Sequence, residues 1–109
     1  MKQIHSVDEL TEVINHESMF YLLKHSTTCP VSQAAFEEYE KFSKENADMN
    51  CYFLTVQDSR PLSNHIAEQY QIKHESPQAF LFKNQNVKWN ASHWKITNTA
   101  LNSVLKENA

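Results

Sequence analysis

Cys29 carries the most nucleophilic side chain in this 109-residue sequence, and its neighbours read as a device for ionising it. It stands in the run Thr28-Cys29-Pro30-Val31-Ser32, after an apolar segment and before a helical pattern. Pro30 suits a first helical position, because it has no N–H to leave unsatisfied and its φ is already helical. Cys29 is then the N-cap, with its sulfur where a capping oxygen accepts from first-turn N–H groups. Those donors and the positive end of the helix dipole both favour the thiolate, so the thiol is expected to ionise below the range of a free cysteine. A thiolate attacks disulfides. Ser32, one turn further on, is expected to donate its hydroxyl to the Cys29 sulfur. As a serine it cannot displace a disulfide formed there. The competing assignment, an inert buried thiol, fits poorly with Pro30 and the strand-to-helix junction.

The second of the two cysteines, Cys51, opens a later apolar run. If that run is a strand parallel to the one before Cys29, the thiols sit at opposite sheet edges. They are then separated by about six residues at roughly 3.3 Å each. A disulfide needs Cα atoms within about 7 Å, so Cys51 is assigned to packing. None of the six histidines shows metal-ligand spacing with a cysteine, and no metal site is expected. His25, four residues before Cys29, is a candidate neighbour whose imidazolium would favour the thiolate. His74 and Glu75 precede Ser76-Pro77 and are candidates to line the site. A cysteine hydrolase is disfavoured, because no orienting third group or oxyanion loop is visible. Trp89 and Trp94 are expected to pack in the core or at an edge, and Glu37, Glu38, Glu40 and Lys41 to form a solvated helix face.

The elements that would position these residues follow from periodicity. Ser6 and Glu9 form a capping box, and Val7, Leu10, Val13 and Ile14 mark a first helix over about 7–16, with room for a short strand before it. Met19–His25 is apolar on both faces, as a strand buried from two sides is. A second helix runs from Pro30 to about Lys44, with Val31, Ala35, Tyr39 and Phe42 as its stripe. Cys51–Val56 is another buried strand. Pro61 suits the first turn of a third helix, faced by Leu62, Ile66 and Tyr70. Ala79–Phe82 and Val87–Trp89 form a hairpin about Lys83-Asn84-Gln85-Asn86, where Asn tolerates the left-handed region. Thr97 caps a last helix carrying Leu101, Val104 and Leu105. Helices between the early strands imply parallel crossovers, so the class is α/β with a mixed sheet.

Composition removes several functions. Ten basic residues against 13 acidic ones give a net charge of −3, which offers no basic excess for nucleic acid. With no glycine, phosphate-cradling glycine loops are impossible. The run Met19–Leu23 is too short to cross a bilayer, and the N-terminus has no apolar stretch resembling a signal peptide. A cytoplasmic protein that keeps its thiols reduced is expected.

Cys29-Pro30-Val31-Ser32, with Ser76-Pro77 before a short strand, resembles the thioredoxin-like superfamily in element order over nearly the whole chain. More narrowly, Ser26-Thr27-Thr28-Cys29-Pro30-Val31-Ser32 is similar to the monothiol bacilliredoxins of Firmicutes. The resemblance implies a single thioredoxin-like domain over residues 1–109, with a central sheet of about four strands flanked by helices. It implies a cis Ser76-Pro77 bond, with Thr28, Ser76 and Pro77 shaping a substrate groove. It also implies monothiol exchange through Cys29, which would remove bacillithiol from S-thiolated cytosolic proteins. Bacillithiol is then substrate or co-substrate, and no bound cofactor is required. Two departures from ordinary thioredoxins agree with this: Ser32 replaces the second motif cysteine, and Leu23 stands where those proteins bury an acid. The alternative is a non-catalytic thioredoxin-fold binding or redox-adaptor module.

Overall fold

A computed structural model describes residues 1–109. The apolar runs become strands and the amphipathic runs helices, in the order β1 (Lys2–Gln3), α1 (Val7–His16), β2 (Met19–His25), α2 (Pro30–Glu45), β3 (Cys51–Thr55), α3 (Arg60–Tyr70), β4 (Gln78–Lys83), β5 (Asn86–Ser92) and α4 (Asn98–Asn108). A 3-10 turn, His93–Lys95, lies between β5 and α4. The sheet has five strands ordered β1-β3-β2-β4-β5, not about four. The added strand is β1, two residues that pair in parallel with Tyr52 and Phe53. So short a strand has no period of its own in the sequence, and its pairing with β3 holds it in place.

β2 and β3 are parallel, while β4 and β5 return antiparallel. Alternation along the central strands supplies both faces of the sheet. Tyr21 and Leu23 join Ala35, Tyr39, Phe42, Leu101 and Val104 under α2 and α4. Phe20 and Leu22 join Leu10, Leu54, Leu62, Ile66, Phe80 and Phe82 under α1 and α3. Helices therefore cover both faces of the sheet, as its doubly apolar centre requires.

Turns here manage without glycine. Gln71, Asn84, Gln85 and His93 all take positive φ, between 52° and 70°. The β4–β5 hairpin uses Asn84 and Gln85 in this way, so a glutamine occupies the second left-handed position. Gln71 closes α3 in the left-handed cap that glycine usually provides.

Candidate active site

β2 and β3 run in parallel, and both deliver their C-terminal ends to one edge of the sheet. His25 pairs with Thr55 there. β4 starts at the same edge, since Lys24 pairs with Gln78, so Pro77 falls alongside His25. The Ser76–Pro77 bond is cis, and Pro77 is buried. Four residues beyond His25, Cys29 occupies the N-cap position of α2 with Pro30 directly after it. Its thiol is free and half-buried.

At the N-cap, the Cys29 backbone carbonyl accepts from Gln33 N–H at 3.0 Å. The thiol itself makes no capping hydrogen bond. Ser32 also differs from expectation. It is fully buried, and its Oγ accepts from Ser26 N–H at 2.8 Å and lies 2.9 Å from His25 Nδ1 in a second hydrogen bond. The hydroxyl is therefore engaged with the loop and the end of β2, not with the Cys29 sulfur. The physical reason lies in the face of α2 that meets the sheet. The buried stripe is Ser32, Ala35, Tyr39 and Phe42, and Val31 is only half-buried.

His25 is 7% exposed and its ring packs, tilted by 38°, against Phe36 with centroids 4.5 Å apart. Burial pushes its pKa below the usual histidine value, against a smaller upward pull from Ser32. The imidazole is thus biased toward its neutral form, contrary to the expectation that an imidazolium would favour the thiolate. His74 lies on the opposite face from Ser32. Its Nδ1 is 3.1 Å from Lys24 Nζ and 3.3 Å from Ser63 Oγ. Its pKa is lowered by burial and by the nearby cations Lys24 and Arg60.

Several positioning groups gave no sign in the sequence. Gln57, just past β3, donates to Ser26 Oγ (2.8 Å) and Thr28 Oγ1 (3.3 Å), and its Oε1 accepts from Thr27 N–H (3.3 Å). It pins the loop that carries Cys29. Lys24 is fully buried, donates to Ser63 O at 3.0 Å and lies over the Phe80 ring, and burial lowers its pKa to about 8. Ser76 Oγ is buried without a partner. Trp89 is half-buried against Tyr21, whereas Trp94 is 70% exposed and lies outside the core.

Cys51 pairs with Tyr21 in the β2–β3 register, at the edge opposite His25. Tyr21 and His25 are four positions apart, or about 13 Å along the strand, well beyond disulfide reach. Cys51 is 5% exposed, and burial pushes its thiol upward in pKa. No group of three or more His, Cys, Asp or Glu side chains could hold a metal. No helix is long and apolar enough to cross a membrane.

The profile of a family described as monothiol bacilliredoxin BrxC matches residues 2–101. A solved structure of a thioredoxin-fold protein proposed to be an oxidoreductase is 41% identical. It has a TM-score of 0.90, with 94% of this chain and 91% of that one covered. Fasciola hepatica thioredoxin is 14% identical with a TM-score of 0.81 over the full length of both chains. Oxidised Plasmodium falciparum thioredoxin is 17% identical with a TM-score of 0.78, covering 100% and 98%. These two share the fold.

Proposed function

The chain belongs to the monothiol bacilliredoxin family, a family of thiol-redox proteins with the thioredoxin fold, and from that premise we propose that Cys29 removes a low-molecular-weight thiol from S-thiolated cytosolic proteins. The Cys29 thiolate attacks the small-thiol sulfur of a mixed disulfide. A Cys29–small thiol disulfide forms, the protein–small thiol disulfide breaks, and the electron pair leaves on the protein sulfur, which takes a proton from solvent. A second small-thiol thiolate then attacks the sulfur bound to Cys29. It leaves as the symmetric small-thiol disulfide and returns Cys29 to its thiolate. The small thiol is bacillithiol, and the compartment is the cytoplasm.

One observation supports this reading most. The site holds a single thiol, with Ser32 in the place of a resolving cysteine and Cys51 at the far edge of the sheet. A mixed disulfide on Cys29 therefore has no internal partner to resolve it, and an external thiol must do so. Pro30 opens α2 directly after Cys29, and a helix N-terminus favours an anion such as a thiolate. In this reading Thr28, Ser76 and Pro77 contact the incoming disulfide, with His25 and His74 near them on opposite faces of the sheet. No bound cofactor takes part in either step.

Intact-mass analysis of the reduced protein mixed with a bacillithiolated target tests the proposal. Transfer of bacillithiol to Cys29 and release of the reduced target are expected, with loss of both in Cys29→Ser. Transfer from a different small thiol would correct the substrate. Absence of transfer from any small thiol would leave a non-catalytic binding or redox-adaptor module.

A further inference from the structure

Trp94 is 70% exposed, an expensive placement for the largest apolar side chain. The turn that carries it is firmly held. His93 adopts a left-handed backbone, with φ of 54°, which a β-carbon tolerates only at a cost. Its N–H donates to Pro77 O at 3.1 Å, and its carbonyl accepts from Ile96 N–H at 3.2 Å. Its ring faces the Glu75 carboxylate at 3.8 Å. A hydrogen bond from Ser92, with help from His93, holds that carboxyl below the usual carboxylate range. Glu75 thus ties the segment before Pro77 to the end of β5 and to the turn that follows it.

These contacts locate the indole. Ser92 pairs with Gln78 at the sheet edge where β2 ends and α2 begins. Asn98 N–H donates to Glu38, two turns into α2. The turn His93–Lys95 therefore packs along α2 and against Pro77, which puts Trp94 at the sheet edge that carries Cys29.

We propose that Trp94 is a substrate-contacting residue whose indole packs against the organic part of the small thiol as its sulfur is transferred to Cys29. This rests on the function proposed above. In the exchange, the three sulfurs line up as Cys29, small thiol and protein, because the new bond forms opposite the one that breaks. The middle sulfur belongs to the small thiol, so its substituents lie against the surface around Cys29. The protein hangs from the outer sulfur. An aromatic face on a held turn at the Cys29 edge of the sheet is therefore placed for the small thiol and not for the protein.

The contact is tested first without turnover. Cys29 is thiolated chemically, using the disulfide of bacillithiol or of 2-mercaptoethanol. Acrylamide quenching of Trp94 is then read as the difference between wild type and Trp94→Phe. The bacillithiol adduct is expected to reduce Trp94 quenching about twofold, since one ring face is covered, and the mercaptoethanol adduct to leave it unchanged. Equal quenching in both adducts overturns the proposal. Kinetically, Trp94→Ala is expected to slow transfer from bacillithiolated targets about tenfold, equivalent to about 1.4 kcal/mol and the size of one aromatic contact. The loss should be the same for a short peptide and a folded target, and absent for mercaptoethanol-thiolated ones. A loss that follows the size of the target and ignores the small thiol also overturns it. Shielding of Trp94 in the adduct by a protein that transfers nothing from targets would overturn the proposed function and leave this contact standing.

Discussion

Replacing Ser32 with alanine separates two roles for its hydroxyl. Ser32 Oγ accepts from Ser26 N–H at 2.8 Å and bonds to His25 Nδ1 at 2.9 Å. Alanine leaves both partners unmatched. Ser26 is half-buried, so water reaches its amide and the loss there is about 1 kcal/mol. His25 is 7% exposed, so its ring nitrogen has little access to water and the loss is about 1–2 kcal/mol. The total, about 2–3 kcal/mol, is a large fraction of a stability of about 5–15 kcal/mol. At roughly 4 °C per kcal/mol for a domain near 100 residues, Tm should fall by about 8–12 °C. Circular-dichroism melts of the reduced protein measure this directly. A His25→Phe background, which keeps the packing against Phe36, should recover about 1 kcal/mol of the loss as a coupling energy. If Ser32→Ala melts within about 2 °C of wild type while Cys29 loses reactivity toward small disulfides, the hydroxyl serves the sulfur and the structural reasoning fails.

Three further outcomes follow from the same geometry. The Lys24 pKa falls from 10.5 to about 8 on folding, so burying the cation costs about 3 kcal/mol below pH 8. Between pH 8 and 10.5 the unfolded chain binds the extra proton, so stability rises with pH in that window. The stability difference between wild type and Lys24→Met, followed by urea melts from pH 7 to 9.5, should shift in favour of wild type as pH rises; a constant difference would contradict a buried ammonium. Alkylation by iodoacetamide should label Cys29 at least about a hundredfold faster than Cys51, whose thiol is buried and raised in pKa; peptide mapping that finds comparable rates would mean that β3 opens readily. Gln57→Ala removes three bonds to residues 26–28, all exposed, so the stability loss should stay near 1 kcal/mol while exchange through Cys29 slows several-fold. A loss of stability with unchanged exchange would mean that Gln57 does not position the thiol.

What the sequence disclosed is what local physics determines. A proline directly after Cys29 marks a helix start whatever surrounds it, and α2 begins at Pro30. The runs Met19–His25 and Ala79–Phe82 are apolar enough to require a central sheet, and the strands there are buried along nearly their whole length. The buried face of α2 departs from its apolar stripe at a polar residue. Val31, Ala35, Tyr39 and Phe42 look like a stripe, but the helix turns Ser32 inward in place of Val31. A serine is buried there because Ser26 and His25 satisfy its hydroxyl, and neither partner can be read from the spacing within α2. Lys24 passed unnoticed for the same reason: its acceptor is Ser63 O in α3, and the ring over which its amine lies belongs to β4.

Trp94 is the opposite case. Hydrophobicity assigns a tryptophan to the interior, and nothing within Ser92-His93-Trp94-Lys95 argues otherwise. Its exposure follows from the left-handed backbone at His93 and from the bond to Pro77 O, a contact between residues sixteen apart in the chain. What the sequence does not show is the surroundings of Ser32, Gln57, Lys24 and Trp94, which sit on four different segments that meet at one sheet edge. The place of the thiol is legible because a proline directly after a cysteine marks a helix start without help from the rest of the chain. The groups that hold the loop and meet the substrate depend on which strands end together. A chain without glycine has to set its tight turns with Gln71, Asn84, Gln85 and His93. At His93 the left-handed turn lies against Pro77, and it carries Trp94 exposed at the sheet edge that bears Cys29.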